Sequence, residues 1–341
     1  MQRIHIPTLI CADARRIPLA DATVQCVVTS PPYWQLRQYD GEQYGVWGGS
    51  SDCNHQWGEE KKIKQSPQRD HARGGGFAKT RGNEAARKGM AFEASQGRFC
   101  TACGAWNGSY GFEPTVGLYV SHTVEIMREI RRVLRDDGLL FWNISDTLRG
   151  KGLSAVPQRI AIAAIDDGWI LRDNIIWAKP NPMPESVKDR LTRSYEPVLM
   201  LAKNPHYCWD AEACREAATS KDAGADGKRN MRNVWTIATQ PFRGAHFAPF
   251  PEEIARRCIS LASKPGDVIL DPFGGSGTTG KVAMELERRS VLLDLNYTGE
   301  GGYETLARQR FQKFLGCDLA TTEKTGSVTS PCPIPTATFQ L

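Results

Sequence analysis

Apolar residues come in short blocks separated by polar and glycine-rich stretches, and the spacing of the blocks predicts strands alternating with helices. Residues 8–11 and the valine-rich 23–29 read as short buried strands, the first running into Asp13 and the second into a Pro-Pro turn. Val120, Val124, Met127, Val133 and Leu134 recur at helical spacing, with Arg128, Arg131 and Arg132 between them, which predicts an amphipathic helix starting near residue 118. Asp137-Gly138 is expected to end it, with a buried strand over 139–144. A helix over 156–166, closed by Gly168, and strands over 171–177 and 198–202 follow. The last third predicts helix 251–263, strand 268–270, helix 278–286, strand 290–293 and helix 303–315.

This alternation implies an α/β fold with a mostly parallel sheet and helices on both faces. In such sheets ligands bind beyond the carboxyl ends of the strands. Asp13, Ser30, Asp146, Asp271 and Asp294 all fall at or just after predicted strand ends, so they are expected to line one crevice. Periodicity is lost over 37–114 and again over 204–245. The first stretch is too long for a plain connection and reads as an insertion with its own task. Residues 318–341 are rich in Thr, Ser and Pro and predict a disordered tail.

Composition narrows the class. A chain of 341 residues with 40% hydrophobic positions can bury a large core. No apolar run reaches the ~18 residues of a membrane span, and the first residues lack the apolar stretch of a secretory leader. The expectation is a cytoplasmic protein without a membrane partner. Ten scattered cysteines argue against a disulfide scaffold, and Cys26 and Cys258 read as core thiols. The net charge is +5, and residues 59–98 alone carry ten Lys/Arg against five Asp/Glu. That local excess suits a phosphate-facing loop, or simply a solvated one.

Two motifs carry chemistry. Gly275-Ser-Gly277-Thr-Thr-Gly280 follows a predicted strand and opens a helix, the context in which a G-x-G-x-x-G loop holds a nucleotide. Asp294 ends the next strand, where a carboxylate can accept both ribose hydroxyls. The loop also fits G-x-x-x-x-G-K up to Lys281, but Val282 stands where a P-loop needs Ser or Thr, which disfavours an ATPase. A nicotinamide dehydrogenase stays open on the loop alone. Asp271 at its entrance would repel a pyrophosphate and welcome a cation, and S-adenosylmethionine carries both an ammonium and a sulfonium. The second motif is Ser30-Pro31-Pro32-Tyr33-Trp34. The prolines fix the backbone, so the Ser30 hydroxyl and the Pro31 carbonyl can each accept a hydrogen bond from one amino group. Tyr33 can stack on a flipped base, which is worth ~1–3 kcal/mol. The bland reading is a rigid turn with Tyr33 and Trp34 in the core.

With these motifs the chain resembles the beta-class amino-methylating DNA methyltransferases, in which the catalytic motif precedes the cofactor motif. The resemblance covers about residues 8–36 and 117–316. It includes Ile176-Trp-Ala-Lys-Pro-Asn-Pro-Met-Pro-Glu-Ser, Ser194-Tyr-Glu-Pro-Val-Leu and His246-Phe-Ala-Pro-Phe-Pro. It implies a Rossmann-like S-adenosylmethionine-dependent methyltransferase fold, commonly with one reversed strand. The core would be residues 1–36 and 115–316, carrying a zinc-ribbon-like insertion over 37–114 and a target-recognition segment over 204–245. By resemblance Ser30, Pro31, Pro32 and Tyr33 act on the base, and Asp271, Phe273, Gly274, Gly275, Gly277, Thr278 and Phe250 hold the methionine end. Asp294 looks like the ribose acid, and Asp13 like the acid that meets the adenine amino group. The implied substrate is double-stranded DNA. Serine before Pro-Pro-Tyr leans toward cytosine N4, with adenine N6 the alternative. Ring-carbon methylation would need a Pro-Cys nucleophile, and Pro331-Cys332 lies in the polar tail. No endonuclease motif is evident, so a separate cognate restriction endonuclease stays an open partner, and oligomeric state is not legible.

Cys53-Asn-His55 and Cys100-Thr-Ala-Cys103 bracket the basic stretch and offer a Cys3His set for a structural zinc, with Trp57 and Trp106 as covers. The alternative is four unrelated residues. Lys228, Arg229, Arg232 and Arg243 are candidate DNA contacts, while His122 and His206 read as ordinary structure. Two rivals of other classes remain, a nicotinamide oxidoreductase and a non-catalytic zinc-ribbon DNA-binding protein.

Overall fold

The computed structural model describes residues 4–36, 44–65, 92–218, 224, 226–239, 250–297 and 302–316. The central sheet has eight strands: β1 (Thr8–Ile10), β2 (Val24–Thr29), β3 (Leu134–Asn143), β4 (Ile170–Ala178), β5 (Tyr195–Ala202), β6 (Val234–Thr236), β7 (Val268–Asp271) and β8 (Arg289–Leu293). Their order across the sheet is β1-β8-β7-β2-β3-β5-β4-β6. Neighbours pair in parallel except at β5, which runs against both β3 and β4. The fold is therefore the expected Rossmann-like sheet with one reversed strand.

Among the described residues five α-helices flank the sheet: α1 (Val116–Val133), α2 (Val156–Asp166), α3 (Glu252–Ala262), α4 (Thr278–Glu285) and α5 (Tyr303–Phe314). Alternation along the strands sends residues to two cores, as the period of two requires. Val27, Leu140 and Trp142 face α1 and α2, packing with Tyr119, Met127, Ile130 and Ile160. Cys26, Val28, Leu139 and Phe141 face α3 and α4, packing with Ile254, Cys258 and Val282. Cys26 and Cys258 are the core thiols their neighbours predict, each fully buried.

Two local expectations change. The helix ending near Asp137-Gly138 instead stops at Val133, and Leu134 already pairs with Val24. The register then jumps so that Cys26 pairs with Leu139, making residues 135–138 a bulge in β3 rather than a turn before it. The second change concerns the irregular stretch 204–245. It contributes β6, paired with Ile176–Ala178, and a short hairpin of Glu216–Ala217 with Lys228–Arg229. Trp235, buried in the second core, is what draws β6 to the sheet edge.

The stretch 37–114 also has structure of its own. Gly45–Trp47, Trp106–Gly108 and Arg98–Phe99 form a three-stranded sheet, and Lys62–Gln65 pairs with Phe92–Ser95. The middle of the basic stretch and the tail from 318 lie outside the described residues, as does Arg243. Among the described residues no helix is long and apolar enough to cross a membrane.

Candidate active site

A cavity of about 330 Å³ opens at the carboxyl ends of β1, β2, β7 and β8. Ala12, Asp13, Ser30, Pro32, Phe250, Asp271, Phe273, Gly274, Gly275, Thr278 and Asp294 line it. Four of the five strand-end residues expected at one crevice are thus together. The fifth, Asp146, is elsewhere employed. Its carboxylate accepts from the backbone N–H groups of Thr147, Ala155 and Val156 and so caps the start of α2.

The glycine loop owes its shape to close packing. A Cβ on Gly274 would lie 2.7 Å from both Leu292 Cβ and Tyr297 Oη, and Gly277 has φ of +80° as it opens α4. Asp294 holds the loop from below: its Oδ2 accepts from Gly275 N at 3.0 Å and its Oδ1 from Asn296 N at 2.8 Å. Burial raises the Asp294 carboxyl above its ordinary value, partly offset by those two N–H groups.

Asp271 is 2% exposed, with Oδ1 accepting from Thr29 Oγ1 at 2.7 Å and Phe273 N at 3.1 Å, and Oδ2 from Thr279 Oγ1 at 2.7 Å. Burial pushes its carboxyl up to about 6, against the pull of the two hydroxyls. The partners of both acids are hydroxyls and backbone N–H groups, so neither has its charge balanced by a basic side chain in those bonds. A cationic ligand fits this donor set and a pyrophosphate does not. Asp13 differs. Burial opposes its ionisation, but hydrogen bonds from the Arg15 guanidinium and backbone hold its carboxyl below the ordinary value. Arg15 Nη2 sits 2.6 Å from Asp13 Oδ2.

Phe273 stacks on Tyr110 at 5.8 Å and meets the edge of Trp142 at 6.2 Å. The cavity wall also includes Tyr44, Gly45, Trp47, Ser109 and Tyr110, all from the stretch between β2 and α1. None of these residues was expected at this crevice from the sequence. Trp47 is 5% exposed, and its indole N–H has no hydrogen-bond partner among the described residues.

Behind the Ser-Pro-Pro-Tyr turn lies a polar cluster. Tyr33 Oη donates to Glu196 Oε2 at 2.8 Å and accepts from Ser30 Oγ at 3.1 Å and Asn143 Nδ2 at 2.7 Å. Lys179 pairs with the other oxygen of Glu196 and lies over the Trp177 ring. Tyr119 Oη donates to the Pro32 carbonyl at 2.9 Å, tying the turn to α1. Pro31 and Trp34 are buried, and the Trp34 indole donates to the Glu113 carbonyl. Trp34 is thus structural, as the bland reading had it. Glu196 and Lys179 fall inside two of the stretches that carried the family resemblance, which was the available signal for them. Nothing in sequence singled out Asn143.

The Cys3His set converges: one ligand atom each from Cys53, His55, Cys100 and Cys103 all lie within 4.8 Å of one another. Trp57 lies beside His55, with ring centroids 4.8 Å apart. Trp106, expected as the second cover, instead packs on His122 in the core. Of the expected DNA contacts, Arg229 and Arg232 both pair with Glu216, while Lys228 is exposed.

Residues 24–322 match the family of N6/N4 methyltransferases described as DNA methylase. The type II methyltransferase M.XycI of Xanthomonas campestris pv. cyanopsidis is 36% identical over 327 residues, covering 87% of this chain and 84% of that protein. M.Cfr9I of Citrobacter freundii is 36% identical over 311 residues, covering 83% and 80%. The solved structure of PvuII DNA methyltransferase, described as cytosine-N4-specific, superposes with a TM-score of 0.56 at 15% identity, covering 92% of this chain and 94% of that one. The chain belongs to the N6/N4 family of DNA methylases.

Proposed function

We propose that this methylase transfers the methyl group of S-adenosylmethionine to the exocyclic N4 of cytosine in double-stranded DNA, acting on a base turned out of the helix. One observation carries the reading: Ser30 and Pro32 of the catalytic turn line the same cavity as Asp271, Gly275 and Asp294. A base entering at the turn would therefore meet a methyl donor seated against the acids. Asp294 would take the ribose hydroxyls, while Asp271 and Phe250 would face the methionine part. Bound there, the cofactor supplies an electrophilic methyl carbon on a sulfonium.

The protein's share is placement. Ser30 Oγ and the Pro31 carbonyl would each accept one hydrogen of the amino group, aiming its lone pair at the methyl carbon. In the transfer such a donor would supply, the C–N bond would form as the S–C bond breaks, the electron pair would stay on sulfur, and the nitrogen would then give up one proton. Ser30 Oγ, Tyr33 Oη and Glu196 form a hydrogen-bonded row leading away from that nitrogen, ending on a carboxylate. Ser30 at the head of the turn supports cytosine as the base. The core over 1–36 and 115–316 would do the chemistry, with recognition of the DNA sequence left to 37–114 and 204–245.

The test is mass spectrometry of nucleosides from unmodified genomic DNA incubated with the purified protein and S-adenosylmethionine. N4-methylcytosine is expected. N6-methyladenine would keep the chemistry and overturn the base. Absence of both would leave a DNA-binding protein without this activity.

A further inference from the structure

We propose that Cys53, His55, Cys100 and Cys103 hold one structural zinc ion, and that this ion fixes the wall of the cofactor cavity contributed by residues 44–47 and 109–110. The second half of the proposal rests on reading that cavity as the cofactor site.

The distances suit a closed tetrahedral site. With Zn–S bonds near 2.3 Å, two thiolates on one ion lie about 3.7 Å apart. Cys53 Sγ and Cys100 Sγ are 3.9 Å apart, and Cys103 Sγ is 3.3 Å from His55 Nδ1. Three thiols cannot pair off as disulfides without leaving one over, and a disulfide would give the imidazole no task. Sulfur-rich donors with one imidazole select zinc over oxygen-seeking metals.

The local backbone is already shaped for this. Gly104 N donates to the Cys100 carbonyl at 3.0 Å, and Gly104 has φ of +74°, which closes the Cys100–Cys103 turn as a tight knuckle. Cys53 N reaches the Ser50 carbonyl at 3.3 Å, turning the other ligand pair inward. Thr101 N and Gly58 N bond to the carbonyls of Gln56 and Phe99, joining the two ligand turns directly.

From this centre the chain runs straight to the cavity on both sides. Upstream of Cys53 lies the Gly45–Trp47 strand, and downstream of Cys103 lies the Trp106–Gly108 strand that pairs with it, Trp47 opposite Trp106. Gly45, Ser109 and Tyr110 at the far end of this pair, and Trp47 at its near end, line the cavity. Arg15, the partner of Asp13, donates to the Val46 carbonyl at 2.6 Å and lies 4.0 Å from the Trp47 ring. Trp47 and Trp106 both stack on His122 of α1, at 4.4 and 5.3 Å. A three-stranded sheet with strands of two or three residues has little core of its own, so a cross-link at its base would hold its tip in position together with these contacts.

The experiment uses the full chain, purified without added metal. Elemental mass spectrometry should find one zinc per chain, and Cys100→Ser should lose it. His55→Cys, which keeps four ligands, should retain it. Cobalt exchanged into the wild-type protein should show tetrahedral d–d bands with thiolate charge transfer. Calorimetric titration with S-adenosylhomocysteine should then show affinity at least tenfold weaker for the metal-free protein than for the zinc-loaded one. Zinc at background levels together with no cobalt spectrum would overturn the proposal. Stoichiometric zinc with unchanged affinity on its removal would overturn the coupling to the cavity. Zinc-loaded protein that binds no cofactor at all would overturn the reading of the cavity and the coupling with it, while the metal count would still support the site.

Discussion

Tyr33 Oη donates to Glu196 Oε2 at 2.8 Å, joining the Ser-Pro-Pro-Tyr turn after β2 to the start of the reversed strand β5. The bond fixes the tyrosine ring by its hydroxyl end. Tyr33→Phe keeps the ring and loses the anchor. A hydrogen bond to a charged group is worth about 1.5–3 kcal/mol, so methyl transfer should fall roughly 10- to 100-fold. Tyr33→Ala should fall further. Both should bind cofactor as the wild type does, and equal loss of binding in a titration would make Tyr33 a structural residue.

Asp294→Ala removes both the carboxylate that would meet the ribose and the acceptor for Gly275 N and Asn296 N. Cofactor dissociation should rise by about 10- to 100-fold, the range for losing a charge-assisted contact. A dissociation constant unchanged in calorimetry would remove Asp294 from the ribose site.

The Asp271 carboxyl, raised to about 6 by burial, makes binding of a cation depend on pH. Its folded value lies above the ordinary 3.8, so the protein takes up a proton on folding between those limits. That contribution to stability is full below the ordinary value and is lost as pH rises through about 6. Cofactor affinity runs the other way, because a cation favours the ionised acid, and should weaken as pH falls below about 6. Titrations across that range should show the decline, and Asp271→Asn should bind weakly with a flatter profile.

Gly274→Ala tests the close packing of the loop. The added methyl meets Leu292 Cβ and Tyr297 Oη, each at 2.7 Å. Overpacking of this kind costs about 1–3 kcal/mol, and the shifted loop should also weaken cofactor binding. Thermal melts and a titration of the same variant would expose a tolerated substitution as unchanged values in both.

Glu113 and His122 form a pair deep beneath the ribbon, 3.0 Å apart, with the glutamate wholly buried. Burial raises the Glu113 carboxyl, with the imidazole as the main opposing influence. His122→Ala leaves that acid with only the Gly111 N–H and removes the ring on which Trp47 and Trp106 stack. The loss should be about 3 kcal/mol, measured as a shift in denaturant midpoint. A midpoint unchanged from wild type would show that the pair contributes nothing to the docking of the ribbon.

The strand and helix pattern was largely legible because each strand lies between two helical layers or against one, so its apolar run is long enough to stand out. The acids at the ends of β7 and β8 were legible for the same reason, since a strand end next to a glycine loop is a local signal. Tyr33 with Glu196, and Trp47 with Phe273's neighbour Tyr110, were not. Each depends on the order of strands in the sheet or on where an insertion folds back, and no local spacing encodes either. Asp146 shows the converse. Its position after β3 suited a ligand-facing acid, but a helix start nearby offered N–H groups that only the folded chain brings within reach.

The reversal of β5 has a consequence for how this enzyme can be altered. Because β4 and β5 form an antiparallel pair, with Ala178 opposite Tyr195, the segment between them leaves and re-enters the sheet at one edge, the edge that bears Ser30 and Asn143. Elsewhere on that edge a connection must cross to the opposite side before the next strand begins. Residues 179–194 therefore form a cassette whose two ends are already held together by the sheet, with Leu191 at its surface 89% exposed. Lengthening or exchanging it would change the surface beside the Tyr33–Glu196 cluster without asking any strand to change its register, which makes it a natural place to graft a new loop.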